Sequence, residues 1–144
     1  MNEEHGPFSV DVAATKENAL CKKFFTAEDD GLKKRWKGTV WCNPPFHRHL
    51  IGAWVERAFL ESQRGAKVVM LLPSRFKDYR WWKTFCVRGE VIFLHDYIRY
   101  QKCGEDTTAY IDSVIVIFGP DIIPGSAGQP IIRSVVEQRK LKVA

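Results

Sequence analysis

The stretch "GTVWCNPPFHRHLIGAWVERAFLESQRGAKVVMLLP", Gly38 to Pro73, reads as strand, helix and strand. Thr39 to Cys42 is short and apolar, and it is stopped by Pro44 and Pro45. Proline has no N–H to give to a ladder. From Leu50 to Gly65, the residues Ile51, Trp54, Val55, Ala58 and Phe59 recur at the spacing of one helical face. Gly65 is placed to cap that helix at its carboxyl end. "AKVVMLLP", Ala66 to Pro73, is a continuous apolar run, which is how a strand covered on both faces reads.

The same signals extend outward. Pro7 to Ala13 reads as a strand ending near Asp11, Tyr79 to Val87 as a short helix, and Glu90 to Leu94 and Ser113 to Pro120 as strands. Asp121 to Pro130 reads as a loop, and "IIRSVVEQRKLKV" from Ile131 as a basic terminal helix. Buried strands alternating with helices predict an α/β sandwich with a mostly parallel central sheet. One compact domain is expected over residues 1–144, with a short N-terminal extension at 1–7 and a C-terminal loop and helix at 120–144. Such sheets take ligands beyond the carboxyl ends of their strands. Asp11, Asn43 and the residues after Leu72 are therefore expected on one rim.

Composition narrows the class. At 144 residues and 45% hydrophobic, the chain has enough apolar matter for one sizeable core. Lys and Arg outnumber Asp and Glu by 22 to 17, and the basic residues gather in "KKRWK", Lys33 to Lys37, and "SRFKDYRWWK", Ser74 to Lys83. Such patches fit a polyanion, nucleic acid first, with a solvated face as the alternative. No apolar run approaches the ~20 residues that span a bilayer. "MNEEHGPFSV" lacks an apolar targeting core, so no membrane partner is expected and the expected location is the cytoplasm. Cys21, Cys42, Cys86 and Cys103 form no C-x-x-C pair and read as reduced, mostly buried thiols. Cys42, His47 and His49 lie close together but match no zinc spacing, so no metal is expected.

The turn Asn43-Pro44-Pro45-Phe46 carries the chemistry. Pro45 pushes Pro44 into an extended conformation, and Pro44 does the same to Asn43. The Asn43 side-chain oxygen and the Pro44 carbonyl become two aimed acceptors for one NH2 group. An aromatic amino group is a poor nucleophile because its lone pair is delocalised. Two acceptors on its hydrogens favour a pyramidal nitrogen, and they stabilise the charge that develops during alkyl transfer. Phe46 offers a stacking face for a planar substrate. The plainer reading is a strand-ending turn with a buried aromatic.

At this point the sequence resembles a known family. Asn-Pro-Pro-Phe is similar to the catalytic motif of amino-group methyltransferases. "FSVDVAATKENALCKKFFTAEDDGL" followed by "WKGTVWCNPPF" resembles the phage-type DNA N6-adenine methyltransferases, with "VVMLLPSR" and "SVIVIF" fitting the same pattern. The resemblance implies a Rossmann-like methyltransferase fold and S-adenosylmethionine as cofactor. It implies a phage or prophage enzyme that methylates adenine N6 in double-stranded DNA, in a restriction-modification setting in the bacterial cytoplasm. The target adenine leaves the duplex, as for other enzymes acting on a base. Asn43, Pro44, Pro45 and Phe46 are implied to be catalytic. Asp11, Ala13, Ala14, Asn18, Asp30 and Asn43 are implied to bind the cofactor, in place of a G-x-G-x-x-G loop, which the chain lacks.

Arg75, after Pro73-Ser74, matches a family element just past a strand, and Lys77, Arg80, Trp81 and Arg99 are the further candidates for DNA binding. Basic groups neutralise phosphates and aromatic faces stack on bases. Read alone, Asp11 is better taken as the N-cap of a helix beginning at Val12, while Asn18 is equally a cap, Asp30 a turn residue before Gly31 and Arg99 a surface arginine, and Trp82 and Phe85 read as core contacts. Departures are Phe46 where Tyr is commoner and only Met1 to Pro7 before the first strand, where the family carries a longer segment with a Thr-Pro element. Closure by a partner subunit, a homodimer, would supply the missing cover. Two alternatives stay open: the same chemistry on RNA adenine, cytosine N4 or a glutamine side chain, and a truncated, inactive module binding DNA or a host protein.

Overall fold

The strand Lys67–Pro73 is apolar from Val68 onward because both of its faces are covered. In the computed structural model, which describes residues 5–94, 98–101, 108–122 and 131–135, its side chains alternate between two cores. Val68, Met70 and Leu72 point to one side with Val40, Ile51, Val55, Ala58, Val114 and Val116. Val69 and Leu71 point to the other with Phe8, Trp41, Ile92, Ile115 and Ile117. A strand alternates sides every residue, so two buried faces require an unbroken hydrophobic run.

In chain order the elements are β1 (Val10–Asp11), β2 (Thr39–Cys42), α1 (Ile51–Gln63), β3 (Lys67–Pro73), α2 (Arg80–Thr84), β4 (Glu90–Leu94), β5 (Ile98–Gln101), β6 (Thr108–Ile111), β7 (Ser113–Phe118) and β8 (Ile131–Val135). Six of them form one sheet in the order β1-β2-β3-β7-β4-β8, and β5 pairs with β6 separately. β2 matches the stretch read from sequence, and α1 covers all but the ends of the expected helix. Gly65 follows α1 at φ 105°, the left-handed cap conformation that glycine tolerates.

The fold is α/β and the sheet is mixed. β1, β2 and β3 pair in parallel, as do β4 and β8, but β7 runs antiparallel to both β3 and β4. The direction of β7 follows from the path of the chain. β4 ends at the same edge as β3, and the chain re-enters the sheet there with Ser113 opposite Pro73.

The segment before β7 contains the antiparallel pair β5 and β6, with Arg99 opposite Tyr110. The C-terminal helix expected from Ile131 is corrected: Ile131–Val135 is a strand, paired in register with Glu90 to Leu94. β-branched Ile131, Ile132 and Val135 suit a pleated surface, and the edge of β4 is there to receive them. Residues 123–130 of the expected loop, the helix from 136, and Cys103 lie outside the described residues. Among the described residues no helix is long and apolar enough to cross a membrane.

α1 is tied to the segment before β2 by one carboxylate. Glu61 is fully buried, and its oxygens accept from the Trp36 N–H at 3.2 Å, Arg35 Nε at 3.3 Å and Arg64 Nη1 at 3.0 Å, with Arg57 Nη2 at 3.1 Å. The charge lies in the last turn of α1, where the helix dipole disfavours an anion, so the arginines offset two penalties at once. Burial alone would raise its pKa, but the Trp36 N–H and the arginines outweigh that and hold it below its ordinary 4.5. A carboxylate with a depressed pKa stabilises the fold above its unfolded pKa and loses that contribution as pH falls through the folded value. Glu61→Ala is expected to cost about 3 kcal/mol at pH 7, since Arg35 and Arg64 turn to water while the Trp36 N–H stays buried. Thermal unfolding from pH 7 to pH 3 checks it: the gap between wild type and variant stays level above about pH 5 and narrows below.

Candidate functional site

Three parallel strand ends lie side by side. Asp11 closes β1 opposite Trp41, Cys42 closes β2 opposite Met70, and Pro73 closes β3. Asn43, Ser74 and Asp112 are the next residues outward, with the Ser74 N–H donating to the Asp112 carbonyl at 2.8 Å. The rim expected from the order of strands is therefore formed.

At its β1 end, Asp11 is buried with only backbone partners. Its carboxylate accepts from the Leu20 N–H at 3.1 Å and the Ala13 N–H at 3.4 Å. Burial outweighs these two bonds and raises its pKa. The sign is opposite to Glu61: the ionised Asp11 carboxylate weakens the fold above its folded pKa, and the penalty fades as pH falls through that value. A buried charge kept at a cost to stability marks a functional candidate. The pairing of β1 with the Lys23–Phe25 segment folds residues 12–22 back over this end, through Phe25 N–H to Asp11 carbonyl (2.8 Å) and Ala14 N–H to Phe25 carbonyl (3.0 Å).

The other cofactor candidates gather at the same end. Asn18 Oδ1 accepts from the Thr15 N–H at 2.7 Å, while its Nδ2 is buried without a partner. Ala14 is buried and Ala13 half-buried. Asp30 stands in the left-handed region at φ 53° and pairs with Lys33 at 3.7 Å. Gly31 presses on the Val12 carbonyl so closely that a Cβ would overlap it, and its own carbonyl accepts from Trp36 Nε1 at 2.8 Å. That contact needs a residue with no side chain, and it brings Asp30 to the end of β1.

Asn43 is the first residue past β2, and its Oδ1 is buried without a partner. Four buried side-chain atoms among the described residues lack a partner, and two of them are this oxygen and Asn18 Nδ2. An unsatisfied buried acceptor costs about 1–3 kcal/mol, so its retention points to a ligand's donor. Pro44 is buried, Pro45 exposed, and Phe46 half-buried against both cores. The His47 carbonyl accepts from the N–H groups of Leu50 (2.8 Å) and Ile51 (2.9 Å), which ties the turn to the start of α1. Cys42 is fully buried, and burial first, then the charge of Asp11, pushes its thiol pKa well up. It faces the core, apart from exposed His47 and His49.

An open cleft of about 340 Å³ lies beside Phe46, lined also by His47, Arg48, Arg75, Phe76 and Tyr79. Arg75 is exposed with its guanidinium 4.9 Å from the Phe76 ring centre, and Lys77 lies 5.5 Å over Phe93. Arg80 is exposed at the start of α2, and Arg99 sits in β5. Trp81 is packed inward against Phe76, Tyr79 and Trp82, and Trp82 and Phe85 are core contacts. His47 and Arg48 were not singled out from sequence as binding residues. Their signal was proximity to Phe46, which a motif of four residues does not extend to.

The Asn43-Pro44-Pro45-Phe46 turn thus stands at the end of β2, on the rim that Asp11 closes from β1. The chain belongs to the DNA N-6-adenine-methyltransferase (Dam) family, which it matches over residues 1–142. It is 36% identical over 76 residues to the "DNA N-6-adenine-methyltransferase" of Escherichia phage T1, a match covering 51% of this chain and 31% of that protein. It is 36% identical over 53 residues to "Putative methyltransferase YfdM" of Escherichia coli (strain K12), covering 32% of this chain and 58% of the relative. The chain thus spans about a third of one relative and under three-fifths of the other.

Gly52 of α1 packs on Trp81, which in turn touches Phe76 and Tyr79 of the cleft wall, and a Cβ at Gly52 would stand 2.8 Å from Trp81 Cδ1. Alanine favours a helix over glycine by about 1 kcal/mol, yet overpacking a rigid indole costs about 1–3 kcal/mol. Gly52→Ala is expected to lower the melting temperature and shift the tryptophan emission, read by calorimetry and fluorescence. A higher melting temperature would show that Trp81 yields.

Proposed function

We propose that the chain is a Rossmann-like methyltransferase domain that transfers a methyl group from S-adenosylmethionine to the N6 amino group of adenine in double-stranded DNA. Family membership supports the reaction, and the observation that carries the site is the unpartnered, buried Asn43 Oδ1 at the end of β2. The residues present fit the cofactor: Asp11 as a buried carboxylate, Asn18 with a spare amide hydrogen, and Ala13, Ala14 and Asp30 around the end of β1. When bound, S-adenosylmethionine supplies an electrophilic methyl group on a sulfonium.

The chain's own residues act on the other reactant. The Asn43 side-chain oxygen and the Pro44 carbonyl accept from the two amino hydrogens of an adenine turned out of the duplex. That contact draws the nitrogen toward a pyramidal geometry with its lone pair free. Positive charge would grow on the amino nitrogen as it took up the methyl group, and the same two oxygens would stabilise it. The excess proton leaves the nitrogen for solvent after transfer, so no strong base is needed. Phe46 holds the plane of the adenine.

Purified protein incubated with methyl-labelled cofactor and unmethylated duplex is expected to yield N6-methyladenine, with parallel RNA and cytosine substrates unlabelled. Asn43→Ala is expected to lower kcat by about 100-fold or more, with cofactor affinity measured by calorimetry less affected. Asp11→Ala is expected to do the reverse, losing cofactor binding in calorimetry without any turnover being needed to see it. No product with wild type, or full turnover in Asn43→Ala, would overturn the reading.

A further inference from the structure

Apart from Phe46, the walls of the cleft have no role in the transfer step, and they come from two separate segments. Phe46, His47 and Arg48 belong to the turn after β2, and Arg75, Phe76 and Tyr79 to the turn after β3. None of the six is acidic, and two are arginines. Arg48 and Arg75 are both exposed, and the Phe76 ring under the Arg75 guanidinium limits where it points. Tyr79 is one of only three large apolar or aromatic side chains left exposed among the described residues, at 37%. Its ring packs edge-on to Trp81 (74°) and 4.9 Å from Phe76, so it is exposed but held. A cleft of this size with cations at its mouth and a held ring on its wall matches a stretch of sugar-phosphate backbone with one base beside it.

We propose that this cleft carries the DNA strand that delivers the target adenine, with Arg48 and Arg75 as cationic jaws on its phosphates and Tyr79 as the platform for the neighbouring base. The proposal rests on the reading that the chain methylates DNA and adds Arg48 and Tyr79 to it as positioning residues. The arginines approach from opposite segments, so together they fix the strand's register relative to Phe46. Each neutralises a phosphate and releases counterions, which makes its contribution readable as a salt slope.

The test is fluorescence anisotropy of a labelled duplex over a range of salt, joined to steady-state methylation. Arg48→Ala is expected to flatten the slope of log affinity against log salt by about 0.9, and to raise KM for DNA by a larger factor than it lowers kcat. Arg48→Lys is expected to keep the slope, because the charge remains, so a loss in both variants would not fit the proposal. Tyr79→Ala is expected to weaken DNA binding about ten-fold and Tyr79→Phe to keep it. Arg88→Gln, in the turn before β4 at the opposite end of the sheet, is expected to leave slope and KM unchanged. If wild type makes N6-methyladenine while Arg48→Ala and Tyr79→Ala bind DNA as wild type does, the clamp is wrong and the methyltransferase reading stands. If wild type makes none while Arg48→Ala still flattens the slope, the clamp stands and that reading falls. Absence of DNA binding by wild type sinks both.

Discussion

The parallel pairing of β2 with a strand on each side is the constraint on which the rest depends. Val40 and Trp41 are held by Val10 and Asp11 on one edge, and Thr39 to Cys42 by Lys67 to Met70 on the other. Pro44 cannot extend that ladder because it has no N–H to give. The strand therefore ends at Cys42, and Asn43 emerges at the rim next to the end of β1. Everything chemical about the site follows from this stop: a polar amide that would sit inside the sheet if the strand ran on is placed at its edge instead.

Two buried carboxylates in the fold make opposite use of burial. Glu61 is surrounded by arginines and the Trp36 N–H, and its charge is stabilised. It holds α1 to the segment that leads into β2, and by that route it supports the Gly31 contact on Val12. Among the described residues Asp11 has two backbone N–H groups and no cation, and its charge is disfavoured. A fold selected for stability alone would not keep Asp11 in this state. The contrast between a satisfied carboxylate inside the scaffold and an under-satisfied one on the rim separates support from site more sharply than either residue type does.

Much of the sheet was legible because its strands are unusually plain. The runs Val68 to Pro73 and Val114 to Phe118 are apolar at every register position, and only a strand with two covered faces needs that. Asn43 and its prolines announced the turn in the same way. Ile131–Val135 misled, because its apolar spacing fits a helix as well as a strand, and only the free edge of β4 decides between them. The direction of β7 was equally out of reach, since it depends on where the chain re-enters after β6. Trp81 looked available among its basic neighbours, but it packs inward, while Tyr79 two residues earlier is the ring left exposed.

By itself the sequence determined which segments are strands buried on both sides and where β2 must stop, because proline, periodicity and side-chain type act locally. Tertiary structure decided that β1, β2 and β3 end on the same side of the sheet, that Asp11 and Asn43 share a rim, and that Arg48 and Arg75 line one cleft. Those are relations between residues tens of positions apart. They arise only when strand register and the packing of α1 fix distances that no local preference encodes.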